Sequence, residues 1–108
     1  SLCLGTTPLM EACLHGHLPT VVLLCNYGVD IFYISERNRE HALLTALRVS
    51  QHAIAVHLLE RMLVAEREGR CPVSSLSRFL SYQDCWDRIK ALRNAFPKRL
   101  LKKVLLST

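Results

Sequence analysis

Apolar residues recur along the chain at intervals of three or four, which is the period of an α-helix with one buried face. Two short blocks of this kind stand close together near the beginning. In the first, Leu9, Ala12 and Cys13 fall on one face, and in the second, residues 21–24 form a continuous apolar body. Each block has the length of a helix of two to three turns. The pattern predicts two short helices joined by a tight connection.

Residues that begin and end helices stand at the borders of both blocks. Thr7 can cap a helix that begins at Pro8, because a threonine oxygen accepts an amide hydrogen and proline has none to leave unpaired. Gly16 ends that helix, and Pro19 lies in the first turn of the next. Gly28 can take the left-handed conformation that closes the second helix. The two helices are therefore predicted to form an antiparallel pair.

This stretch resembles an ankyrin repeat. The family's Gly-x-Thr-Pro-Leu is residues 5–9 here, its Gly-His is residues 16–17, its Val-Val-x-Leu-Leu is reflected in residues 21–24, and its Gly-Ala-Asp in residues 28–30. The resemblance implies a helix pair that cannot bury its apolar face alone. A second repeat is therefore expected about 33 residues further on.

A degenerate second repeat follows at that distance. Residues 41–47 stand where Thr-Pro-Leu and the inner helix are expected, residues 50–51 replace Gly-His, and residues 54–59 replace the outer apolar core. Leu43 follows Leu9 by 34 residues, so we expect a one-residue insertion between Phe32 and Glu40.

The remainder of the chain is predicted to be helical from periodicity alone. The outer helix of the second repeat runs on until Gly69 and Pro72 end it. Ser74 or Ser75 can cap one further helix and Asp84 another. The apolar positions of the last two helices are Cys85, Trp86, Ile89, Leu92, Phe96, Leu100, Leu101, Val104 and Leu105.

Together these patterns predict an all-α fold, an ankyrin-type helical repeat stack with a divergent C-terminal helical cap. Residues 1–68 would form two repeats, and residues 69–108 a helical extension packed on them in a single compact unit. The helices are expected near residues 8–15, 18–26, 42–49, 52–66, 75–82, 84–95 and 97–107.

Composition supports a folded intracellular protein. The chain has 108 residues, half of them hydrophobic, and no apolar run approaches the roughly 18 residues of a bilayer span. Its five cysteines are scattered and odd in number, so they cannot all pair in disulfides. Buried thiols of this kind are typical of a reducing compartment, and we expect cytoplasm or nucleus. The abrupt beginning suggests part of a longer protein.

The sequence offers no arrangement typical of catalysis or metal binding. It lacks the close Cys-x-x-Cys pairs of a structural zinc site, a Gly-rich phosphate loop and a paired carboxylate cluster. The histidines and cysteines lie at spacings that spread them around the helices. We expect no catalytic residue, no metal and no cofactor, and therefore a binding protein and not an enzyme.

The ankyrin resemblance implies that partners bind to the inner helices and to the loop between repeats. Aromatic and arginine side chains are the types that most often anchor protein interfaces. A second interpretation of the loop is that Phe32 and Ile34 only pack it against its neighbour. The candidate partner-binding residues are Met10, Leu14, His15, Phe32, Tyr33, Arg37, Arg39 and Arg48, with Ile34, Glu36 and Val49 beside them.

Positive charge is concentrated at one end. Residues 84–108 carry seven bases and two acids, a balance of +5 that equals the formal charge of the whole chain. The candidate basic patch is Lys98, Arg99, Lys102 and Lys103. It can be the solvated face of a capping helix, a docking site for an acidic protein, or a site for nucleic acid or anionic membrane. Few aromatic residues accompany it, so nucleic acid is not expected.

Two short stretches of the C-terminal part also resemble a SOCS box. Residues 75–80 look like its opening Ser-Leu-x-x-x-Cys, with Leu80 in place of the cysteine, and residues 97–100 resemble its closing Pro-x-Arg-Leu. Asp84 stands where the family has an aliphatic residue. This resemblance implies an alternative function, a substrate-recruiting adaptor that docks elongin and the cullin scaffold of a ubiquitin ligase.

Overall fold

The computed structural model describes residues 6–107, and over that range every regular element is helical and no strand occurs. The predicted all-α fold is therefore confirmed. Gly5 of the repeat motif lies outside the described residues. The contacts divide the chain into two compact units, Ser1–Leu58 (unit 1) and Leu59–Thr108 (unit 2).

Each predicted helix has an α-helix near it. In chain order the α-helices of the described part are α1 Pro8–Leu14, α2 Leu18–Asn26, α3 Ala42–Arg48, α4 His52–Arg67, α5 Leu76–Leu80, α6 Cys85–Ala91 and α7 Lys98–Leu105. Short 3-10 turns occupy Tyr82–Asp84 and Arg93–Ala95. None of these helices is long and apolar enough to cross a membrane.

The first helix pair begins as its capping residues predict. The backbone amide of Met10 donates to Thr7 Oγ1 at 3.1 Å, and Pro8 is the first helical residue. At the other end Gly16 has φ +67°, and the amides of residues 16 and 17 donate to the carbonyls of Cys13 and Ala12. These two bonds form the Schellman arrangement that ends an α-helix.

The second pair reaches the same geometry with other residues. The backbone amide of Leu44 donates to His41 Nδ1 at 3.3 Å, so His41 caps α3 as Thr7 caps α1. Ser50 takes φ +59°, and the amides of residues 50 and 51 donate to the carbonyls of Leu47 and Ala46. Helices α1 and α3 pack against each other. The degenerate sequence has therefore kept the helix pair.

The core of unit 1 lies among its four helical segments. Leu43 and Leu44 are fully buried, and Cys13 and Cys25 are buried as predicted. Other buried apolar residues of this unit are Leu9, Met10, Ala12, Val21, Ile31, Phe32, Ala42, Ala46, Leu47, Ile54, Ala55 and Leu58.

Unit 2 is held together by one acidic residue as well as by its core. Glu66, near the end of α4, accepts hydrogen bonds from the backbone amide of Leu76 and the hydroxyl of Ser107. Ser77 Oγ donates to the carbonyl of Ser107 at 2.8 Å. The buried apolar residues are Leu59, Met62, Leu63, Ala65, Leu76, Phe79, Leu80, Cys85, Ile89, Phe96, Leu100 and Val104.

Three details of unit 2 differ from the prediction. Helices α5 and α6 end at Leu80 and Ala91, before the expected 82 and 95, and a 3-10 turn follows each. Asp84 makes no side-chain capping bond, because Gln83 and Asp84 both adopt left-handed conformations, with φ +54° and +55°. Leu105, expected in the core, is 64% exposed, since α7 turns Leu100 and Val104 inward instead.

Candidate partner-binding surface

A loop of residues 29–41 joins the two helix pairs and is closed by its own hydrogen bonds. The amide of Phe32 donates to Asp30 Oδ1 at 2.9 Å, and the amide of Ser35 donates to the carbonyl of Glu40 at 2.9 Å. The amide of Arg39 donates back to the carbonyl of Ser35 at 2.8 Å. Asx and backbone turns of this kind fix the path of a loop without secondary structure. The loop therefore presents its side chains from a defined backbone.

The tip of this loop is charged and exposed. Arg37 and Arg39 are exposed, and Tyr33, earlier in the same loop, is 40% exposed. Phe32 is 8% exposed and Ile34 is half-buried. Phe32, expected at the surface, instead packs the loop onto unit 1, which is the second interpretation given to it above.

Three candidate partner-binding residues were predicted on or next to α1, and two of them are accessible at the surface. Leu14 and His15, at the end of α1, are exposed. His15 Nε2 lies 3.6 Å from Glu11 Oε1. Met10 is only 3% exposed, because its side chain turns into the core of unit 1. The structure thus leaves Met10 out of the accessible surface.

Arg48 is fixed by a residue at the other end of its helix. Its Nε and Nη2 donate to the two carboxylate oxygens of Glu40 at 2.8 and 3.2 Å, and Thr45 Oγ1 donates to the same carboxylate at 2.9 Å. The hydrogen bond with Glu40 raises the pKa of Arg48 above its usual value. Glu40 ends the loop and Arg48 ends α3, so the ion pair directs the guanidinium back towards the loop. About half of the Arg48 side chain stays exposed.

Sequence reasoning missed two residues of unit 1. Glu40 was considered only as a boundary of the insertion, although an acid just before the cap residue of a helix that ends in arginine is a readable signal. Tyr27, at the end of α2, is the most exposed of the large apolar side chains in unit 1. The sequence does not mark its exposure, because Tyr27 lies past the apolar run 21–24, directly before Gly28.

Comparison with protein families identifies the first helix pair. The family model of the ankyrin repeat matches residues 4–36. These residues form an ankyrin repeat. The match covers α1, α2 and the first part of the loop. Comparisons with curated proteins and with solved structures give no match.

The ankyrin repeat indicates a protein-interaction module, since this family binds other proteins and is typically non-catalytic. The second helix pair is consistent with a further ankyrin repeat, although the family model stops before it. The ankyrin match thus includes the inner helix α1 and the part of the loop that carries Tyr33, and it ends just before Arg37.

Two buried thiols, one in each unit, have pKa values above the ordinary value for cysteine. Burial raises the pKa of Cys13 to about 12 and the pKa of Cys85 to about 12. The thiolate is the nucleophile and metal ligand, and burial favours the protonated thiol at both positions at neutral pH. Within residues 6–107, no three histidine, cysteine or acidic side chains come together as a metal site would need. Cys3 lies outside the described residues.

The four residues of the predicted basic patch are all exposed on α7. The structure divides them between two concave surfaces of unit 2. Arg99 and Lys103 line a pocket together with Arg67 and Glu60. Lys98 and Lys102 line a separate groove on the other flank of the helix.

Proposed function

We propose that unit 1 binds a protein partner through the exposed side chains of the loop and of the ends of the inner helices. We call this the loop-helix surface and define it as Leu14, His15, Tyr33, Arg37, Arg39 and Arg48. The observation that supports it best is the exposure of Tyr33, Arg37 and Arg39 on a loop whose backbone is fixed by turn hydrogen bonds.

Preorganisation gives this surface its advantage for binding. A loop already held in one conformation loses little entropy when a partner binds, so more of the contact energy appears as affinity. Arg48 is likewise held in place by Glu40 before any partner arrives. Tyrosine and arginine are enriched among residues that dominate binding energy.

The charge of the loop-helix surface favours an acidic partner. Arg37 and Arg39 supply two guanidinium groups, whereas the charge of Arg48 is offset by its ion pair with Glu40. Guanidinium groups pair with carboxylates through two parallel hydrogen bonds, which adds both energy and orientation. We propose that the partner offers carboxylates to Arg37 and Arg39.

A comparative pull-down tests this proposal. The chain with Tyr33→Ala, Arg37→Ala and Arg39→Ala is compared with the wild type in cell extract, with bound proteins quantified by mass spectrometry. A matched control carries Tyr27→Ala, Arg67→Ala and Arg70→Ala, which removes the same side-chain types just after α2 and at and just after the end of α4. We expect the loop variant to lose partners that the control retains, by about tenfold or more in recovered amount.

The result that contradicts the proposal is equally specific. A loop variant that retains every partner while the control variant loses them would place the binding site elsewhere. Thermal melts of both variants must match the wild type, because loss of folding would remove partners for another reason.

The ubiquitin-ligase adaptor is the alternative, and the packing of α5 does not favour it. Leu76 and Leu80, the residues at the two key positions of the SOCS-box resemblance, are both fully buried in unit 2. Neither side chain is therefore presented to elongin in this conformation. Co-expression with elongin subunits decides the matter, since a stable complex would restore the adaptor hypothesis.

We propose further that the protein works inside the cell. Cys13, Cys71 and Cys85 are free thiols, and two of them are buried. Free buried cysteines are usual where glutathione keeps thiols reduced. Fractionation of cells that express a tagged chain tests this proposal, and recovery from the secreted fraction would contradict it.

A further inference from the structure

A groove runs along one flank of α7 in unit 2. It has a volume of about 400 Å³. Its walls combine apolar side chains with a basic rim, and no acidic residue lines it. The lining residues are Arg93, Asn94, Lys98, Leu101, Lys102 and Leu105, which we call the α7 groove.

The helical register explains how α7 forms this groove. Residues 98, 101, 102 and 105 follow the spacing of three and four that places side chains on one stripe of a helix. Leu100 and Val104 lie on the adjacent stripe and are buried in unit 2. Of the four apolar residues of α7 at helical spacing, only these two are therefore buried in the core. Leu101 remains half-buried and Leu105 is 64% exposed.

The cations of the groove are available for binding. None of the ion pairs found among residues 6–107 involves Arg93, Lys98 or Lys102. The segment 84–108 carries seven bases against two acids, so the field around the groove is positive. An occupant that is both acidic and apolar would complement the rim and the leucine wall at once.

We propose that the α7 groove binds an acidic amphipathic segment of a partner protein, with apolar side chains of the segment against Leu101 and Leu105 and its carboxylates at Lys98 and Lys102. This site is separate from the loop-helix surface and does not depend on it. A concave wall with two leucines suits inserted side chains, whereas a lipid surface needs a continuous apolar face. No aromatic residue lines the groove, so the stacking that single-stranded nucleic acid uses is missing.

Peptide binding to the full chain tests the proposal. The probe is a short fluorescent peptide of leucine and glutamate, with its leucines on one helical face, and the readout is fluorescence anisotropy. The variant Lys98→Glu/Lys102→Glu should weaken binding by about tenfold, because two attractive charges become repulsive. Arg99→Glu/Lys103→Glu changes the charge of the same helix equally but on the other flank. It should weaken binding by less than about threefold.

A second pair of variants tests the apolar wall. Leu105→Ser removes a leucine that lines the groove, whereas Leu106→Ser removes one that is 72% exposed and does not line it. We expect Leu105→Ser to weaken binding by about fivefold. Leu106→Ser should leave the affinity almost unchanged. A peptide of the same composition with its leucines spread around the helix should bind several-fold more weakly than the amphipathic probe.

Three outcomes would overturn the proposal. Equal weakening by the two charge variants would show a general field and no groove. Equal binding of the two peptides would show that the leucine wall plays no part. Tighter binding of phosphatidylserine vesicles or of a single-stranded oligonucleotide, with the same dependence on Lys98 and Lys102, would assign the groove to a different class of ligand. The Tyr33/Arg37/Arg39 variant should bind the probe normally, so failure here is distinct from failure of the loop-helix proposal.

Discussion

Thr7 and His41 stand 34 residues apart and hold the same place, at the start of an inner helix. Thr7 offers a hydroxyl oxygen and His41 a ring nitrogen. Each accepts a hydrogen bond from the backbone amide three residues later in the chain. Gly16 and Ser50 form a similar pair, both with positive φ in a Schellman turn. The two helix pairs show that the inner helix requires a hydrogen-bond acceptor before its first turn and a residue with positive φ after its last turn. More than one residue type can serve at each position.

The substitutions in the second pair are not free of cost. A left-handed conformation costs a non-glycine residue about 1 kcal/mol, which Ser50 bears and Gly16 does not. A buried histidine cap replaces a partly exposed threonine and brings a titratable group into the core. The second pair is therefore expected to depend more on its neighbours and on pH than the first.

Removal of residues 84–108 should have the largest effect. The outer helix α2 ends at Asn26, whereas its counterpart α4 continues into unit 2, where Met62 and Leu63 are buried. We propose that residues 69–108 act as the cap of the second pair. Their deletion removes buried side chains that contribute about 1.5–3 kcal/mol each, namely Ile89, Phe96, Leu100 and Val104. We expect aggregation or a non-cooperative melt by calorimetry. A monomeric truncation with an unchanged melting transition would contradict the cap.

Matched core substitutions should separate the two pairs next. Leu9→Ala and Leu43→Ala delete the same side chain from equivalent positions, and each is expected to lower the free energy of unfolding by about 2–5 kcal/mol. Leu9 borders an open cavity of about 160 Å³, while Leu43 is completely buried. We therefore expect the larger loss for Leu43→Ala, measured by urea unfolding. A larger loss for Leu9→Ala would reverse our ranking of the two sites.

The histidine cap should make stability depend on pH. Burial lowers the pKa of His41 to about 4, with the neighbouring Glu40 acting in the opposite direction. The unfolded chain takes up this proton below about pH 6.5, but the folded chain resists it until about pH 4. The contribution of His41 to the free energy of unfolding is therefore fully present above about pH 6.5. It is lost as the pH falls towards about 4, by about 3 kcal/mol at most.

Urea unfolding at about pH 7 and about pH 4.5 measures this loss, and the control is His41→Thr, which restores the residue type of the first repeat. Other groups titrate in the same range, so the quantity of interest is the difference between wild type and variant. An identical pH dependence in both would show that His41 does not titrate as its burial requires.

The turn residues should give the smallest effects, and of opposite sign. Gly16→Ala adds a Cβ at φ +67° within 2.6 Å of Gln51 Nε2, so the Gln51 side chain must move, and we expect a loss of about 1–2 kcal/mol. Ser50→Gly relieves its left-handed backbone and should gain about 0.5 kcal/mol. Thermal melts of both variants provide the measurement. Destabilisation by Ser50→Gly would mean that the serine side chain contributes more than its backbone strain.

Periodicity and capping residues predicted the helices well, because they act over three or four neighbours. Thr7, Gly16, Gly28 and Ser75 hold the cap positions expected of them. The early end of α5 could not be foreseen, since the left-handed conformations of Gln83 and Asp84 that follow it depend on how the flanking helices pack. The 3-10 turn that follows α6 has no sequence signal either. Local sequence contains little information about such turns.

The candidate site was predicted less completely than the fold. The interface-prone loop between the repeats was recognisable from its composition, but which of its apolar side chains turn inward was not. Phe32 and Tyr33 are adjacent and similar in size, yet only Phe32 is buried. On α7 the sequence likewise does not show which apolar side chains are buried. Leu105 and Val104 are both strongly hydrophobic, yet only Val104 faces the core.

The Glu66 carboxylate has a consequence for the order of folding. Its two hydrogen bonds reach partners 10 and 41 residues away in the sequence, so unit 2 closes through long loops. Helices α1 and α2 of unit 1, in contrast, are neighbours along the chain and pack against each other. Non-local contacts form more slowly than local ones, because chain entropy is lost before the contact forms. During synthesis unit 1 can therefore fold while unit 2 still waits for Ser107 to emerge. In that interval the apolar side chains that unit 2 buries on α4, such as Met62 and Leu63, would be exposed, and exposed apolar surface favours aggregation.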